Sequence, residues 1–388
     1  MTGHLFDAFF LIFTGSAIIA SVALYTRQPL LVAYVAVGML FGPYGLKIVP
    51  DLNIVSDISH IGIVFLLFLL GLDMQPKALR SVFKEISIVA IASSFLFAGT
   101  GYLLGLSFGF NQTEAIVLGM ALMFSSTIIG IKLLPTTVLH HKHTGELMVG
   151  LLLFQDFLAI ICLLVLASGT PGQLNLPELG TAFVALPVLG LLAFAFVKYV
   201  LLTLITRFDR FHEYIFLLAI GWCLGLAKLA EIMHLSAEIG AFIAGIALAT
   251  NPISQFIALN LKPLRDFFLI LFFFALGAQL NIELLPSLAL PILTVSAIVL
   301  IAKPAVFYGL LCRKSERKAL AWDIGFRLGQ ISEFSLLLAI VASSNGIIGE
   351  KVTVIIQSAA IITFLVSSYA VIFFFPSPLA VSEKLRRD

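Results

Sequence analysis

Thirteen apolar stretches follow one another along this chain, near residues 8–25, 30–43, 57–74, 86–107, 114–134, 146–168, 179–204, 212–231, 236–250, 264–282, 288–311, 319–343 and 350–375. Most match the roughly 17–25 apolar residues that a helix needs to cross a bilayer. Hydrocarbon offers the backbone no partners, so a run of this kind satisfies its amides internally, as a helix. Hydrophobic residues make up 60% of the chain and charged residues 11%, against about 45–50% and 25% in soluble domains. A soluble globule of this make-up could not cover its surface with polar groups. The expected class is therefore an all-α polytopic membrane protein, with the bilayer as its first partner. The N-terminus has no basic region and cleavage site of a signal peptide, so its first apolar stretch reads as a permanent span. A net charge of +2 without a dense basic run gives no reason to expect nucleic acid. Cys162, Cys223 and Cys312 are scattered, with no CxxC or Cys/His cluster, and read as small buried hydrophobes.

Charge orients the chain. Cytoplasmic loops concentrate Lys and Arg. Thirteen spans, with the C-terminal EKLRRD inside and the N-terminus outside, put 17 of the 23 basic residues in cytoplasmic segments. Lys47, Lys228 and Lys351 fall outside, and Lys198, Lys303 and Arg327 fall within spans. Losing or adding a span in the middle scrambles this alternation; eleven or twelve spans are the alternatives. The location expected is the plasma (inner) membrane.

A repeat runs through the chain. FLLFLLGLDM resembles LFFFALGAQL, aligning Gly71 with Gly277, 206 residues apart; VAVGML resembles FIAGIA, aligning Gly38 with Gly245, 207 apart. Residues 1–178 then form one six-helix repeat, 179–204 a linking helix, and 205–388 a second repeat with a short tail. Passing seven spans reverses the insertion direction, so the repeats are inverted, an arrangement transporters share. Chance similarity of Leu-, Phe- and Gly-rich segments is the alternative.

An ionisable residue inside a span is costly and is functional by default. Asp156 lies in the middle of GLLLFQDFLAIICLL beside Gln155, with no basic residue within a helical turn. Its carboxylate must be neutralised, paired or wet, which suits a carrier of cations and protons; the alternative is a neutral aspartate at a helix–helix contact. Lys303, before Pro304, needs a partner, and Asp156 is the obvious one; snorkelling to the interface is the alternative. Ser125, Ser126 and Thr127 in MFSSTIIG, and Gln330, Ser332 and Glu333 in GFRLGQISEF, are polar where a helix can break. Thr127 and Glu333 are also 206 residues apart. Opposed half-helix ends carry partial charges that such groups can meet, while back-bonding within continuous helices is the plainer reading. Arg327 is a partner for Glu333 or Asp323. Asp73 closes the third span and marks either the interface or a secondary site. His140, His141 and His143 in HHKHTGE read as a solvated loop, sensitive to pH, rather than a metal site. The only metal expected is the monovalent cation at Asp156. No nucleophile, base and oxyanion arrangement is recognisable, so an enzyme is not expected.

In VAYVAVGMLFGP, GIVFLLFLLGLDM, SSTIIGIKLL, GLLLFQD, LSAEIGAFIAGIALA, FFFALGAQL and GQISEFSLLLA the chain resembles the monovalent cation:proton antiporter-2 family, closest to the membrane domain of Kef-type potassium/proton exchangers. The resemblance covers nearly the whole chain. It implies a sodium/proton antiporter-like fold of thirteen helices, in which a dimerisation domain and an ion-translocating core, each built from both repeats, move relative to one another. Two discontinuous helices cross at the ion site, and the protein is a homodimer. It further implies that Asp156 binds ion and proton, that Gln155 stands where other members carry a second acid, that Ser125–Thr127 and Gln330–Glu333 form the two breaks, and that Lys303 pairs with the aspartate. Kef-type proteins continue into a nucleotide-binding regulatory domain; up to Asp388 there is no GxGxxG, so an accessory subunit or an absent regulatory domain is an open partner. The expected function is exchange of a monovalent cation, potassium ahead of sodium, for protons, with no cofactor beyond the transported ions. A ligand-gated potassium efflux channel is the alternative, although no repeated filter motif is present.

Overall fold

The computed structural model of the chain describes residues 2–26, 28, 30–49, 53–73, 76–134, 143–167, 176–208, 210–233, 235–251, 253–314 and 316–377. The regular elements are helices: α1 (Thr2–Tyr25), α2 (Leu30–Phe41), α3 (Asn53–Asp73), α4 (Pro76–Ser107), α5 (Gln112–Leu122), α6 (Thr127–Lys132), α7 (His143–Ala167), α8 (Leu176–Phe196), α9 (Leu202–Arg207), α10 (His212–Ile232), α11 (Ala237–Ala249), α12 (Ile253–Gln279), α13 (Leu285–Arg313), α14 (Lys318–Arg327), α15 (Glu333–Ser344) and α16 (Glu350–Phe374). A π-helical turn, Val197–Leu201, joins α8 to α9. Each of the thirteen apolar stretches overlaps one or more of these helices. Among the described residues, seven helical segments are by themselves long and apolar enough to cross a membrane, and α2, α5, α11 and α15 are shorter apolar helices. His140, His141 and the EKLRRD tail lie outside the described residues.

Two stretches are broken rather than continuous. The fifth divides between α5 and α6, and the twelfth between α14 and α15. The hydroxyls at the breaks start the second half-helices: Ser126 Oγ accepts from the Ile129 amide at 3.2 Å, and Ser332 Oγ from the Phe334 amide at 3.1 Å. A serine whose oxygen takes an amide of the first turn is an N-cap; in these positions it ends the alternative of continuous helices with back-bonded hydroxyls.

The chain forms two compact units, each assembled from both halves of the sequence: Met1–Ile18, Tyr34–Arg80 and Gln173–Gln279 in the first, and Ile19–Ala33, Ser81–Gly172 and Leu280–Asp388 in the second. In the first unit α3 packs between α11 and α12. The glycines that mark the repeat make these contacts. A Cβ at Gly71 or Gly245 would enter the backbone of the other helix of the α3–α11 pair, and a Cβ at Gly38 or Gly277 that of the other helix of the α2–α12 pair. Each half of the sequence thus contributes one helix to each close pair. Backbones this near leave no room for a side chain, so we expect Gly245→Val to destabilise the protein by about 2–3 kcal/mol. Gly190→Val in α8, where a Cβ meets open space, is the control. Equal thermal stability of the two variants in detergent would overturn this account.

In the second unit α13 packs on α14 and α16, and α15 on α5, α7 and α16. Gly119 of α5 lies against the Ala98 carbonyl of α4, and Gly325 of α14 against the Pro304 carbonyl of α13. Both members of the first contact lie 206 residues before those of the second. Phe97 and Phe307 meet edge to face at 5.4 Å in a buried cluster with Met148, Leu151 and Ile324. These contacts hold the two broken helices beside α7 and α13.

Candidate functional site

Asp156 projects from α7 and is fully buried. The Thr127 hydroxyl, at the first residue of α6, donates to its carboxylate and lies 3.2 and 3.0 Å from Oδ1 and Oδ2. Among the described residues no basic group forms an ion pair with it. Glu333, the first residue of α15, is near enough for its charge to act on Asp156. The amino-terminal starts of the two second half-helices therefore bring a hydroxyl and a second carboxylate towards one buried acid. Such ends carry partial positive charge, so they favour anionic side chains there. Carboxylate and hydroxyl oxygens are hard donors of the kind that suits hard cations.

Gln155 is equally buried, and its Oε1 accepts from the Ser125 amide at 3.0 Å, fastening α7 to the first break. Its Nε2 has no hydrogen-bond partner. Ser125 Oγ donates to the Leu328 carbonyl at 2.8 Å and Gln330 Nε2 to the Ser126 carbonyl at 3.3 Å. The two breaks are thus cross-linked to each other.

Lys303 differs from the sequence expectation. It is 1% exposed, but instead of an ion pair with Asp156 its ammonium donates to the Phe124 carbonyl, to Ser125 Oγ at 3.3 Å and to the Gln330 carbonyl at 2.9 Å. An ammonium has three donors and no acceptor, and these three oxygens use all of them. Phe124 and Gln330 follow the carboxyl ends of α5 and α14 and are themselves 206 residues apart. The carboxyl end of a helix is its negative end, so one cation serves two equivalent positions. The ring of Phe97, the residue 206 before Lys303, lies 5.3 Å from the ammonium and completes the enclosure.

Arg327, 1% exposed, bonds to Asp323 at 2.7 Å rather than to Glu333, and to the carbonyls of Leu133 and Pro376 at 2.6 Å each. Those carbonyls follow α6 and α16, so the guanidinium joins three helix ends. Asp73 ends α3 in the other compact unit, and its side chain is not among those described. His143 lies 2.9 Å from Glu316, and no metal-binding cluster occurs among the described residues.

Sequence reasoning missed the contribution of α16. Thr363 Oγ1 accepts from the Ile331 amide at 3.2 Å, and Ser367 Oγ donates to Gln330 Oε1 at 2.9 Å. Their spacing of four residues puts two hydroxyls on one helix face, a signal present in the last apolar stretch but weak beside charged residues. Phe97 was invisible as anything but an apolar residue.

A protein-family model described as "Sodium/hydrogen exchanger, transmembrane" matches residues 10–375. The K(+) efflux antiporter 5 of Arabidopsis thaliana is 28% identical over 370 residues, which are 92% of this chain and 64% of that protein. The iron transporter MagA of Paramagnetospirillum magneticum is 26% identical over 344 residues, 88% of this chain and 79% of that protein. The putative cation/proton antiporter YbaL of Escherichia coli is 27% identical over 355 residues, 87% of this chain and 62% of that protein. Among solved structures, the sodium proton antiporter MjNhaP1 of Methanocaldococcus jannaschii at pH 8 superimposes with a TM-score of 0.70 at 19% identity, covering 95% of this chain and 96% of that one. The fold is shared with that antiporter.

Proposed function

The chain belongs to the sodium/hydrogen exchanger transmembrane family, and from that premise we propose that it is a secondary antiporter exchanging a monovalent cation, potassium ahead of sodium, for protons at Asp156. The observation that carries this is a fully buried carboxylate with one hydroxyl partner, placed where two broken helices meet. A lone carboxylate charge in hydrocarbon has to be neutralised. A proton and a dehydrated cation can each do so, but not together, and this mutual exclusion couples the two fluxes. Thr127, and Glu333 through its charge, supply the remaining oxygen environment. Lys303 and Arg327 hold the ends of the half-helices, so that the site moves as one body.

Potassium is favoured on two grounds: Gln155 stands beside the aspartate in place of a second acid, and a relative at 28% identity is a K(+) efflux antiporter. The rest of the reading is thirteen spans in two inverted repeats, an external N-terminus, a cytoplasmic C-terminus, a plasma-membrane location and a homodimer working by alternating access. No cofactor is needed, and no enzymatic step is involved. A ligand can drive such a cycle only by favouring one conformation over another; here the choice is between a protonated and a cation-loaded site.

The test is a pH jump in proteoliposomes with potassium, sodium and lithium compared side by side. We expect lumenal proton movement in proportion to cation movement, fastest with potassium and retained when the membrane potential is clamped. Cation flux without proton movement would replace the exchanger by a channel. Sodium or lithium outrunning potassium would overturn the selectivity.

A further inference from the structure

α16 meets the second break as α7 meets the first. Gln155 Oε1 of α7 accepts from the Ser125 amide at 3.0 Å. Thr363 Oγ1 of α16 accepts at 3.2 Å from the Ile331 amide, and Ile331 lies 206 residues after Ser125. The residue 206 after Asp156 is Ile362. α16 therefore brings a holding group to its break where α7 brings a holding group and an acid. One turn beyond Thr363 it carries a second hydroxyl, Ser367, which is 2% exposed.

Ser367 Oγ donates to Gln330 Oε1 at 2.9 Å, and Gln330 Nε2 donates to the Ser126 carbonyl at 3.3 Å. Gln330 is fully buried, so both ends of its amide depend on these partners. Only one orientation fits. A carbonyl accepts and cannot donate, so the nitrogen end of the amide has to face Ser126. The oxygen end then faces Ser367, whose hydroxyl has to donate. Without that hydroxyl the buried amide oxygen has no donor there, and the side chain gains by turning away from Ser126. The carbonyl of Ser126 belongs to the peptide group that leads into Thr127. It also accepts from the Gly130 amide within the first turn of α6 at 3.1 Å, and the Gln330 bond ties that turn to the second break. Thr127 Oγ1 in its turn lies 3.0 Å from Asp156 Oδ2.

We propose that Ser367 is a positioning residue for the cation site. Through the Gln330 amide it fixes the Ser126–Thr127 peptide, and with it the spacing between the Thr127 hydroxyl and the Asp156 carboxylate. Groups that orient the ligands of a metal tune its affinity without touching it. The hydroxyl has a second acceptor, the Phe326 carbonyl at 3.2 Å, to which its proton turns when Gln330 is replaced. The proposal rests on Asp156 being the cation site and adds the helix that sets its dimensions.

The test is the melting temperature of the detergent-purified full chain, titrated with potassium chloride against choline chloride at constant ionic strength. The wild type is expected to be stabilised with a defined half-saturating concentration, and Asp156→Asn to show no potassium-dependent shift. Ser367→Ala should raise the half-saturating concentration about fivefold, the factor that one neutral hydrogen bond is worth. Ser368→Ala is the control: that hydroxyl is buried on the same helix without a hydrogen-bond partner among the described residues, and its loss should change nothing. Gln330→Met should weaken potassium at least as much as Ser367→Ala. In the Gln330→Met background, Ser367→Ala should then have no further effect, because the two act as one unit. Wild-type affinity in Ser367→Ala, or an equal loss in Ser368→Ala, would overturn the positioning role. Independent, multiplying losses in the double variant would overturn the route through Gln330. A wild type that potassium does not stabilise would instead overturn Asp156 as the cation site, and the role of Ser367 with it.

Discussion

Asp156→Asn is expected to stop exchange altogether, leaving proteoliposomes as leaky to protons and cations as vesicles without protein. The change is nearly isosteric. The asparagine carbonyl can still accept from the Thr127 hydroxyl that lies 3.0 Å from Oδ2, and no ion pair is lost. Burying an amide in place of a carboxylate also removes a charge that is costly in hydrocarbon. The variant should therefore insert, elute and melt like the wild type, or melt slightly higher, while binding neither proton nor cation. Exchange retained at wild-type rate would remove Asp156 from the carrier role. A loss of activity accompanied by loss of folded protein would point instead to packing.

The second large effect concerns Lys303. Lys303→Met keeps most of the side-chain volume and its contact with Phe97 but leaves the Phe124 and Gln330 carbonyls, bonded in the native protein to the ammonium, without a donor. An orphaned buried acceptor costs about 1–3 kcal/mol, so a loss of about 3 kcal/mol is expected, with exchange falling because the two breaks are no longer held in register. A double-mutant cycle with Asp156→Asn separates this from an ion pair. If the lysine works through the carbonyls, the two changes add to within about 0.5 kcal/mol. A coupling of several kcal/mol would restore the direct pair that the sequence suggests.

The difference between these residues shows what is readable in one dimension. Asp156 stood out because a charge in an apolar run is conspicuous without knowing its neighbours. The breaks were legible because Ser126 and Ser332 act on amides two or three residues away, a local interaction. Lys303 was located equally well but given the wrong partner. Two of its three partners, 179 and 27 residues away in sequence, are backbone oxygens, which carry no signature of residue type. Arg327 met the nearer of its two suggested partners, Asp323, for the same reason of locality. Its other two bonds, to Leu133 and Pro376, were invisible for the reason that hid those of Lys303. Thr363 and Ser367 went unnoticed because hydroxyls are common in membrane helices and matter only when a particular helix faces them.

The linear order of residues by itself determined that this is a helical membrane protein, that similar segments recur at an offset of 206 residues, and that an acid and two polar breaks lie within its apolar stretches. Each follows from forces acting within one helix: solvation by lipid, backbone self-satisfaction, capping and the cost of a charge. The tertiary structure alone decided that glycines from one half of the sequence pack on helices from the other, that one ammonium closes two carbonyl ends 206 residues apart, and that α16 completes the second break. Those outcomes depend on which helices become neighbours. In lipid that choice is made by close backbone contact and hydrogen bonds between distant segments, and no single stretch of sequence contains it.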